Sequence, residues 1–536
     1  MRNVLYYGDN LEIMRKHIAD ESVDLVYLDP PFNSNRDYNV LFKEQSGEPA
    51  QAQVKAFTDT WKWSPITYAD FCESCPRDQL VKLIQGFVET LGRNEVTAYL
   101  VMMAPRLLEL HRVLKPTGSL YLHCDPTASH YLKMMLDVIF GPKNFRNEIV
   151  WKRTSAHSDA RRYARVSDAI LLYTRSSLFT WNKPRGDYDE RYVETHYVHV
   201  DESGRRFRYD NLNKPKGSVG YFYTLLNCPP PPNGWRMPED RAKQWLSEGR
   251  IEVPPAGKIP SYKRYLDEMG GPAVTNIWSD IPPVNSQAKE ALPYPTQKPL
   301  ALLERIIQAG SNPGDVILDP FCGCGTAVIA AHKLNRDWIG IDITSLATTL
   351  IKTRLVDSFG IIEKKDYDVV GEPVTAADAR ALFQKDAFEF QKWAVGLVPR
   401  AYPYQDKKGA DSGIDGVLRF KDDIGDPKRC VIQVKGGRVS VKEIRDFRGV
   451  MDREKATVGL FITLDRPTAP MLREADSVGF YITPMGNIRL PRLQIRTIEQ
   501  LLTDEGFKIP SAALFMGVKK AERVQRNPGQ AELDLQ

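Results

Sequence analysis

A chain of 536 residues exceeds what a single hydrophobic core organises, so two or three domains are expected. A hydrophobic content of 42% beside 26% charged residues is that of an ordinary soluble globular protein, and no apolar run approaches the roughly eighteen residues of a membrane span. A net charge of +5 permits a nucleic-acid partner without requiring one. The opening MRNVLYYGDNLEIM carries an acid and an amide where a signal peptide needs an apolar core, so a cytoplasmic location is expected. Seven cysteines, an odd number, argue against a disulfide framework. Cys72 with Cys75, and Cys322 with Cys324, lie too far apart in sequence to suggest a structural zinc site.

Residues 1–175 alternate strand and helix. DLVYLD is an apolar run of buried-strand length, residues 102–114 are amphipathic at helical spacing, and KPTG (115–118) stops them. GSLYLHCD (118–125) reads as a strand, HYLKMMLDVIFG as a helix and DAILLYTR (168–175) as a third strand. This alternation predicts a parallel sheet covered on both faces. Residues 176–292 break the rhythm with interleaved basic and aromatic residues and the run PPPPNGW, the pattern of a loop-rich insertion. The alternation resumes over 293–360, through a helix at 300–310, the strand DVILD, a helix at 326–334, the strand DWIGIDI and a helix at 345–360. A polar stretch, 361–380, reads as a linker. Beyond it, 381–515 forms a smaller α/β unit with strands in GIDGVLRF, KRCVIQVKGG, TVGLFITL and GFYITP and helices near 441–454 and 469–478. The tail, 516–536, is polar and expected to be loose.

Two strands end in Asp-Pro. The first, VYLDPPF, delivers Asp29, Pro30, Pro31 and Phe32; the second, ILDPFCGCGTA, delivers Asp319, Phe321, Gly323 and Gly325. The exocyclic amine of a nucleobase is a poor nucleophile because its lone pair is delocalised into the ring. The Asp29 carboxylate and the Pro30 carbonyl can each accept one N–H, which frees that lone pair, and Phe32 offers a stacking face. The glycine turn allows close backbone approach to a ligand, and Asp342, closing the strand WIGID, can accept ribose hydroxyls. The third glycine of a dinucleotide fingerprint is missing, and there is no GxxxxGK[ST] loop.

In this order the motifs resemble the permuted beta group of DNA amino-methyltransferases, in which the catalytic motif precedes the target-recognition insertion and the cofactor loop comes last. The resemblance covers residues 1–360 and implies a Rossmann-like sheet, S-adenosylmethionine as cofactor and double-stranded DNA as substrate. It places Asp9 at the cofactor's adenine, Lys298 of YPTQKP near its methionine carboxylate, Asp319, Phe321, Gly323 and Gly325 in the loop, and Asp342 at the ribose. Asp29 at the head of the motif, in place of Ser, favours adenine N6 over cytosine N4. Arg205, Arg206, Arg208, Lys214 and Lys216, with Tyr209, Tyr221 and Tyr223, are candidate DNA contacts of the insertion.

A second group lies downstream. Asp415 sits on one strand and Gln433 and Lys435 on the next, two apart and so on one side of it. One acid, one amide oxygen and one lysine at a sheet edge can hold Mg2+ and steady a water against a phosphate. This resembles the Mrr-like restriction endonucleases, a PD-(D/E)xK branch with QxK in place of ExK. The resemblance implies a further acid on a preceding helix, for which Glu389 and Asp386 are candidates; Asp411 either supports the metal ligands from behind or forms a turn. The expected whole is an adenine-N6 DNA methyltransferase fused to a Mg2+-dependent endonuclease acting in restriction–modification. The alternatives are a cytosine-N4 enzyme, a type III-like modification subunit with a helicase-nuclease partner, or an orphan methyltransferase whose C-terminal unit only binds DNA. A homodimer is a further expectation from the group.

Overall fold

The computed structural model describes residues 3–31, 63–154, 163–254, 259–285, 290, 292, 297–404, 413–421, 427–484, 487–503, 505–509 and 514–515. Five strands precede the insertion: β1 (Val4–Tyr7), β2 (Val23–Leu28), β3 (Leu114–Cys124), β4 (Phe145–Lys152) and β5 (Ser167–Thr174). Residues 183–275 are a compact unit of their own. Their strands β6 (His199–Val200), β7 (Arg206–Asn211), β8 (Ile251–Glu252) and β9 (Ser261–Tyr265) form an antiparallel sheet in the order β6-β7-β9-β8. Trp235, Leu212 and Ile251 are buried at its small core.

After the insertion, β10 (Ile277–Trp278), β11 (Val316–Asp319), β12 (Asp337–Asp342) and β13 (Asp368–Val370) complete a nine-stranded sheet, β10-β4-β5-β3-β2-β11-β12-β1-β13. The sheet is parallel except for β5, which runs against both β3 and β4. A strand buried at seven of its eight positions has the same apolar pattern in either direction, so the periodicity carried no sign of the reversal. The expected linker 361–380 is ordered: β13 pairs with β1, and a helix, Ala376–Lys385, starts within it behind a Thr375/Asp378 capping box.

Helix α1 (Asn10–His17) follows β1, and α2 (Glu95–Val113) precedes β3. The second starts seven residues before the amphipathic run because Asn94 and Thr97 form a capping box there. Its buried Leu100, Met103, Ala104, Leu107 and Leu110 pack into the main core, which also takes Val26, Leu28, Leu120, Leu122 and Leu318 from the sheet. Past Gly325, in the left-handed region at φ 77°, α3 (Thr326–Lys333) leads into β12, and α4 (Ser345–Phe359) follows it. Helix α5 (Ala387–Gly396) then opens the C-terminal sheet, β14 (Tyr402–Pro403), β15 (Gly416–Lys421), β16 (Lys428–Lys435) and β17 (Val458–Thr463). The expected strand at GFYITP, β18 (Phe480–Ile482), stays off that sheet in a ribbon with β19 (Arg489–Pro491), and β20 (Leu493–Thr497) takes the place beside β17. Helices at Val441–Arg453 and Ala469–Ser477 lie where the sequence put them.

Candidate active sites

β2 is buried at all six positions and ends at Asp29. The Asp29 carboxylate pairs with the Lys298 ammonium, 269 residues away, with both side chains largely shielded from solvent. The lysine expected beside the cofactor's carboxylate is thus tied to the acid expected at the head of the catalytic motif. Pro30 is buried and Pro31 half-buried, while Phe32 and residues 293–296 lie outside the described residues. Behind the pair runs a buried polar chain. The Tyr27 hydroxyl is 3.0 Å from His123 Nδ1, and His123 Nε2 is 3.2 Å from Asp168 Oδ2. Arg153 Nε lies 2.9 Å from Asp168 Oδ1. Burial opposes the Asp168 charge, yet His123 and Arg153 hold its carboxyl below the usual range.

β11 lies beside β2 in parallel register, Leu25 with Ile317 and Val26 with Leu318, so both Asp-Pro ends leave the sheet at its carboxyl edge. This is the edge at which open α/β sheets bind ligands. Asp319 is buried and accepts a bond from the Phe321 amide at 3.1 Å. Burial pushes its carboxyl well above the usual range, and the charges of Asp29 and Asp342 push the same way. Asp342, at the end of β12, binds the loop: its Oδ2 accepts from the Gly323 amide at 2.9 Å. Its Oδ1 accepts from the Thr344 amide at 2.9 Å and hydroxyl at 2.8 Å. Burial raises Asp342 to about 6 in spite of these bonds. The thiols of Cys322 and Cys324 are buried and pushed up, so neither is a ready metal ligand or nucleophile.

Asp9 caps α1, accepting from the Leu11 amide at 2.9 Å, and pairs with Arg106 Nη2 at 2.6 Å. Arg106 also donates to Asn10 Oδ1 at 2.6 Å, and Asn10 donates to the Pro320 carbonyl at 2.8 Å. β1 is tied to the glycine loop through these bonds. From the other side, buried Arg354 donates to the Cys324 carbonyl at 2.5 Å. Sequence reading missed both arginines; only Arg106 carried a signal, a charged residue within the apolar run LVMMAPRLL, whereas Arg354 sits in a mixed polar helix.

In the C-terminal unit, β15 and β16 pair with Gly416 opposite Ile432. Asp415 Oδ2 accepts from the Val434 amide at 2.7 Å, which sets the acid beside Gln433. Gln433 is buried, and its Oε1 has no hydrogen-bond partner among the described residues. Lys435 is half-buried two residues on. Asp411 lies outside the described residues. Asp386 is the N-cap of α5, accepting from the Phe388 and Glu389 amides at 3.0 Å each. Glu389 Oε1 accepts from the Tyr7 hydroxyl at 3.2 Å and the Ser345 amide at 2.8 Å, so this carboxylate is turned to β1 and α4. Among the described residues no three His, Cys, Asp or Glu side chains are grouped to hold a metal.

Within the insertion, several expected DNA contacts are engaged internally. Arg205 pairs with Asp267 at 2.8 Å and Glu268 at 2.9 Å, its guanidinium 3.9 Å above the Tyr265 ring. Arg208 donates to the Tyr192 hydroxyl, Tyr209 bonds Glu252, and Tyr223 donates to the Met237 carbonyl. Arg206, Lys216 and Tyr221 are exposed, and Lys214 is half-buried.

Parallel strands ending in an acid-proline motif and a glycine loop define a nucleoside-binding α/β enzyme class. Residues 23–353 match the DNA methylase family, and the chain belongs to it. Residues 383–484 match the restriction endonuclease family of Mrr type, so the chain carries a restriction endonuclease domain as well. Over 261 residues it is 31% identical to the type II methyltransferase M.EcaI of Enterobacter cloacae, covering 48% of this chain and 57% of that protein. Over 355 residues it is 27% identical to the Mod subunit of the type III restriction-modification enzyme StyLTI of Salmonella typhimurium, covering 62% and 50%. Over 343 residues it is 25% identical to the DNA adenine methyltransferase YhdJ of Escherichia coli K12, covering 64% and 78%. The chain spans little more than half the length of the first two.

Proposed function

We propose that the chain is an S-adenosylmethionine-dependent DNA methyltransferase acting on adenine N6, joined to a Mg2+-dependent endonuclease in a restriction–modification enzyme. The observation that carries the first activity is the emergence of Asp29 and the glycine loop from adjacent parallel strands at one sheet edge. Asp342 suits the cofactor's ribose: its Oδ2 accepts a single bond and so retains a lone pair for a hydroxyl. S-adenosylmethionine, when bound, supplies the methyl group from a sulfonium.

The chain's own residues do the rest. The Asp29 carboxylate accepts one N–H of the amine and the Pro30 carbonyl the other, which directs the lone pair at the methyl carbon. Lys298 pairs with the Asp29 carboxylate and so orients it, and that carboxylate can take the proton that the methylated nitrogen sheds. A base in a duplex must first be flipped out, at a cost of a few kcal/mol, roughly. We assign the supply of that energy to the insertion, with exposed Arg206 and Lys216 on phosphates. Asp29 rather than Ser, and the likeness to an adenine methyltransferase, support adenine; cytosine N4 is the alternative.

For the second activity, the buried and unpartnered Gln433 Oε1 beside Asp415 has the chemistry of a ligand pair for Mg2+, a hard cation that takes oxygen donors. Lys435 would face the scissile phosphate. Mg2+ there would activate a water. Double-stranded DNA is the proposed substrate of both units, in the cytoplasm; no helix among the described residues is long and apolar enough to cross a membrane. The likeness to a Mod subunit supports a helicase-nuclease partner as an addition, and homodimerisation remains a proposal from the beta-group resemblance.

The test supplies purified chain with tritiated cofactor and unmodified DNA, then digests the DNA to nucleosides. Label in N6-methyladenine supports the reading; label in N4-methylcytosine alone replaces it. In parallel, unmodified plasmid with Mg2+ should be cut and pre-methylated plasmid spared, with cutting lost in Asp415→Ala. Methyl transfer without cutting would leave the C-terminal unit as a DNA-binding module or a dependant of another subunit.

A further inference from the structure

The C-terminal unit reaches into the methyltransferase through one helix. α5 has two working faces. Phe390, Trp393 and Ala394, spaced for one side of a helix, are buried in the core with Ile432 and Val434 of β16. Glu389 and Gly396, two turns apart on another side, meet α4 and β1 instead. A Cβ on Gly396 would lie 2.6 Å from the Thr349 hydroxyl, so the absence of a side chain there lets α5 approach α4 closely. Arg400, just past α5, pairs with Asp357 of α4 at 2.6 Å. Glu389 is thereby held with Oε1 between the Tyr7 hydroxyl, at the end of β1, and the Ser345 amide, at the start of α4.

These two donors flank the cofactor site. Tyr7 precedes Gly8 and Asp9, and Ser345 follows Asp342 and Thr344. The Ser345 amide is among the first N–H groups of α4, which have no partner within the helix. The Thr344 side chain satisfies the Ala347 amide, and Glu389 takes that of Ser345. The second Glu389 oxygen pairs with Lys392 at 3.5 Å, and Asp386 fixes the start of α5 by capping it.

We infer that Glu389 is a positioning residue of the cofactor site, supplied by the nuclease-type unit: it fixes the end of β1 and the start of α4 on either side of Asp342. This inference rests on the methyltransferase reading above. It removes Glu389 from the nuclease chemistry, where the Mrr-like resemblance had placed it.

The experiment measures S-adenosylmethionine binding by calorimetry and Mg2+-dependent plasmid cleavage on the full chain and three variants. Glu389→Ala removes both acceptor bonds and should weaken cofactor binding about tenfold, the scale of bonds to a charged acceptor. Glu389→Gln keeps an acceptor oxygen for the Ser345 amide and should recover most of that loss. Tyr7→Phe deletes only the hydroxyl donor and should weaken binding about threefold. Cleavage should survive in all three. Unchanged cofactor binding in Tyr7→Phe and Glu389→Ala, or loss of cleavage in Glu389→Gln with binding intact, overturns the assignment. If Glu389→Ala does not fold, Tyr7→Phe and Glu389→Gln decide alone. Failure of the unaltered chain to bind the cofactor would overturn the methyltransferase reading, and this inference with it; loss confined to the variants speaks to Glu389 alone.

Discussion

The two Asp-Pro strand ends share a dipeptide and a sheet edge, yet their acids have different surroundings. Asp29 is paired directly with a lysine brought from 269 residues away. Asp319, in the next strand, accepts from one amide, and burial drives it toward the neutral form, with Asp29 and Asp342 pushing the same way against the pull of Lys298. A motif fixes the backbone and the direction of a side chain; the partner that sets its charge comes from elsewhere in the fold. Position alone gives one acid a direct ion pair and leaves the other governed by burial.

The same substitution at both ends tests this contrast most sharply. Asp29→Asn keeps the shape but removes the carboxylate, leaving Lys298 a largely shielded charge without its partner. Methyl transfer should fall roughly 10²-fold or more in kcat, the scale of losing one electrostatic contact to a reacting centre. Cofactor affinity, by calorimetry, should change by less than about threefold, because the role proposed for Asp29 is toward the base rather than the cofactor. A fall in affinity with kcat unchanged would move Asp29 from the base to the cofactor and dissolve the contrast.

How much of this was legible in sequence follows from which interactions are local. β2, β11, β12 and the glycine turn are consecutive residues whose pattern spells their structure, and the sequence placed them correctly. Asp29, Asp319 and Asp342 come together because parallel strands share an edge, which the motif order implied. The Asp29–Lys298 pair, the Arg106 and Arg354 braces and the Glu389 bridge span tens to hundreds of residues, and no periodicity encodes them. Glu389 is the clearest case. Its place on a helix before β15 made it, with Asp386, a candidate nuclease acid, but only packing of α5 on α4 decides which way the side chain faces. Likewise Arg205 reads as a phosphate contact until Asp267 and Glu268 are seen to occupy it.

Asp342 lies between the two extremes, and its protonation should show in binding. With its carboxyl raised to about 6, it is ionised at pH 7.5 and, in the proposed role, accepts a ribose hydroxyl; below about 6 it becomes protonated and loses acceptor capacity. Cofactor affinity should therefore be full above that value and fall as pH drops through it, about tenfold between pH 7 and 5. Asp342→Asn should bind more weakly at pH 7.5 and lose most of that slope. A slope that persists in the variant would transfer the titration to another group.

The smallest effect should come from Asp319→Asn. If burial holds the acid toward its neutral form, an amide of the same shape replaces a group that already behaves as uncharged, and the Phe321 amide still finds an oxygen. The melting temperature should move by no more than about 2 °C, and methyl transfer should stay within about twofold of the parent. The change could even be slightly stabilising, because an amide carries no residual cost for the ionised form in a buried site beside Asp29 and Asp342. A large loss of cofactor binding in this variant, with the fold intact, would mean that Asp319 ionises when the cofactor arrives. The two strand ends would then differ only in the unliganded protein, with the cofactor's own positive charge adding to the pull that Lys298 already exerts on Asp319.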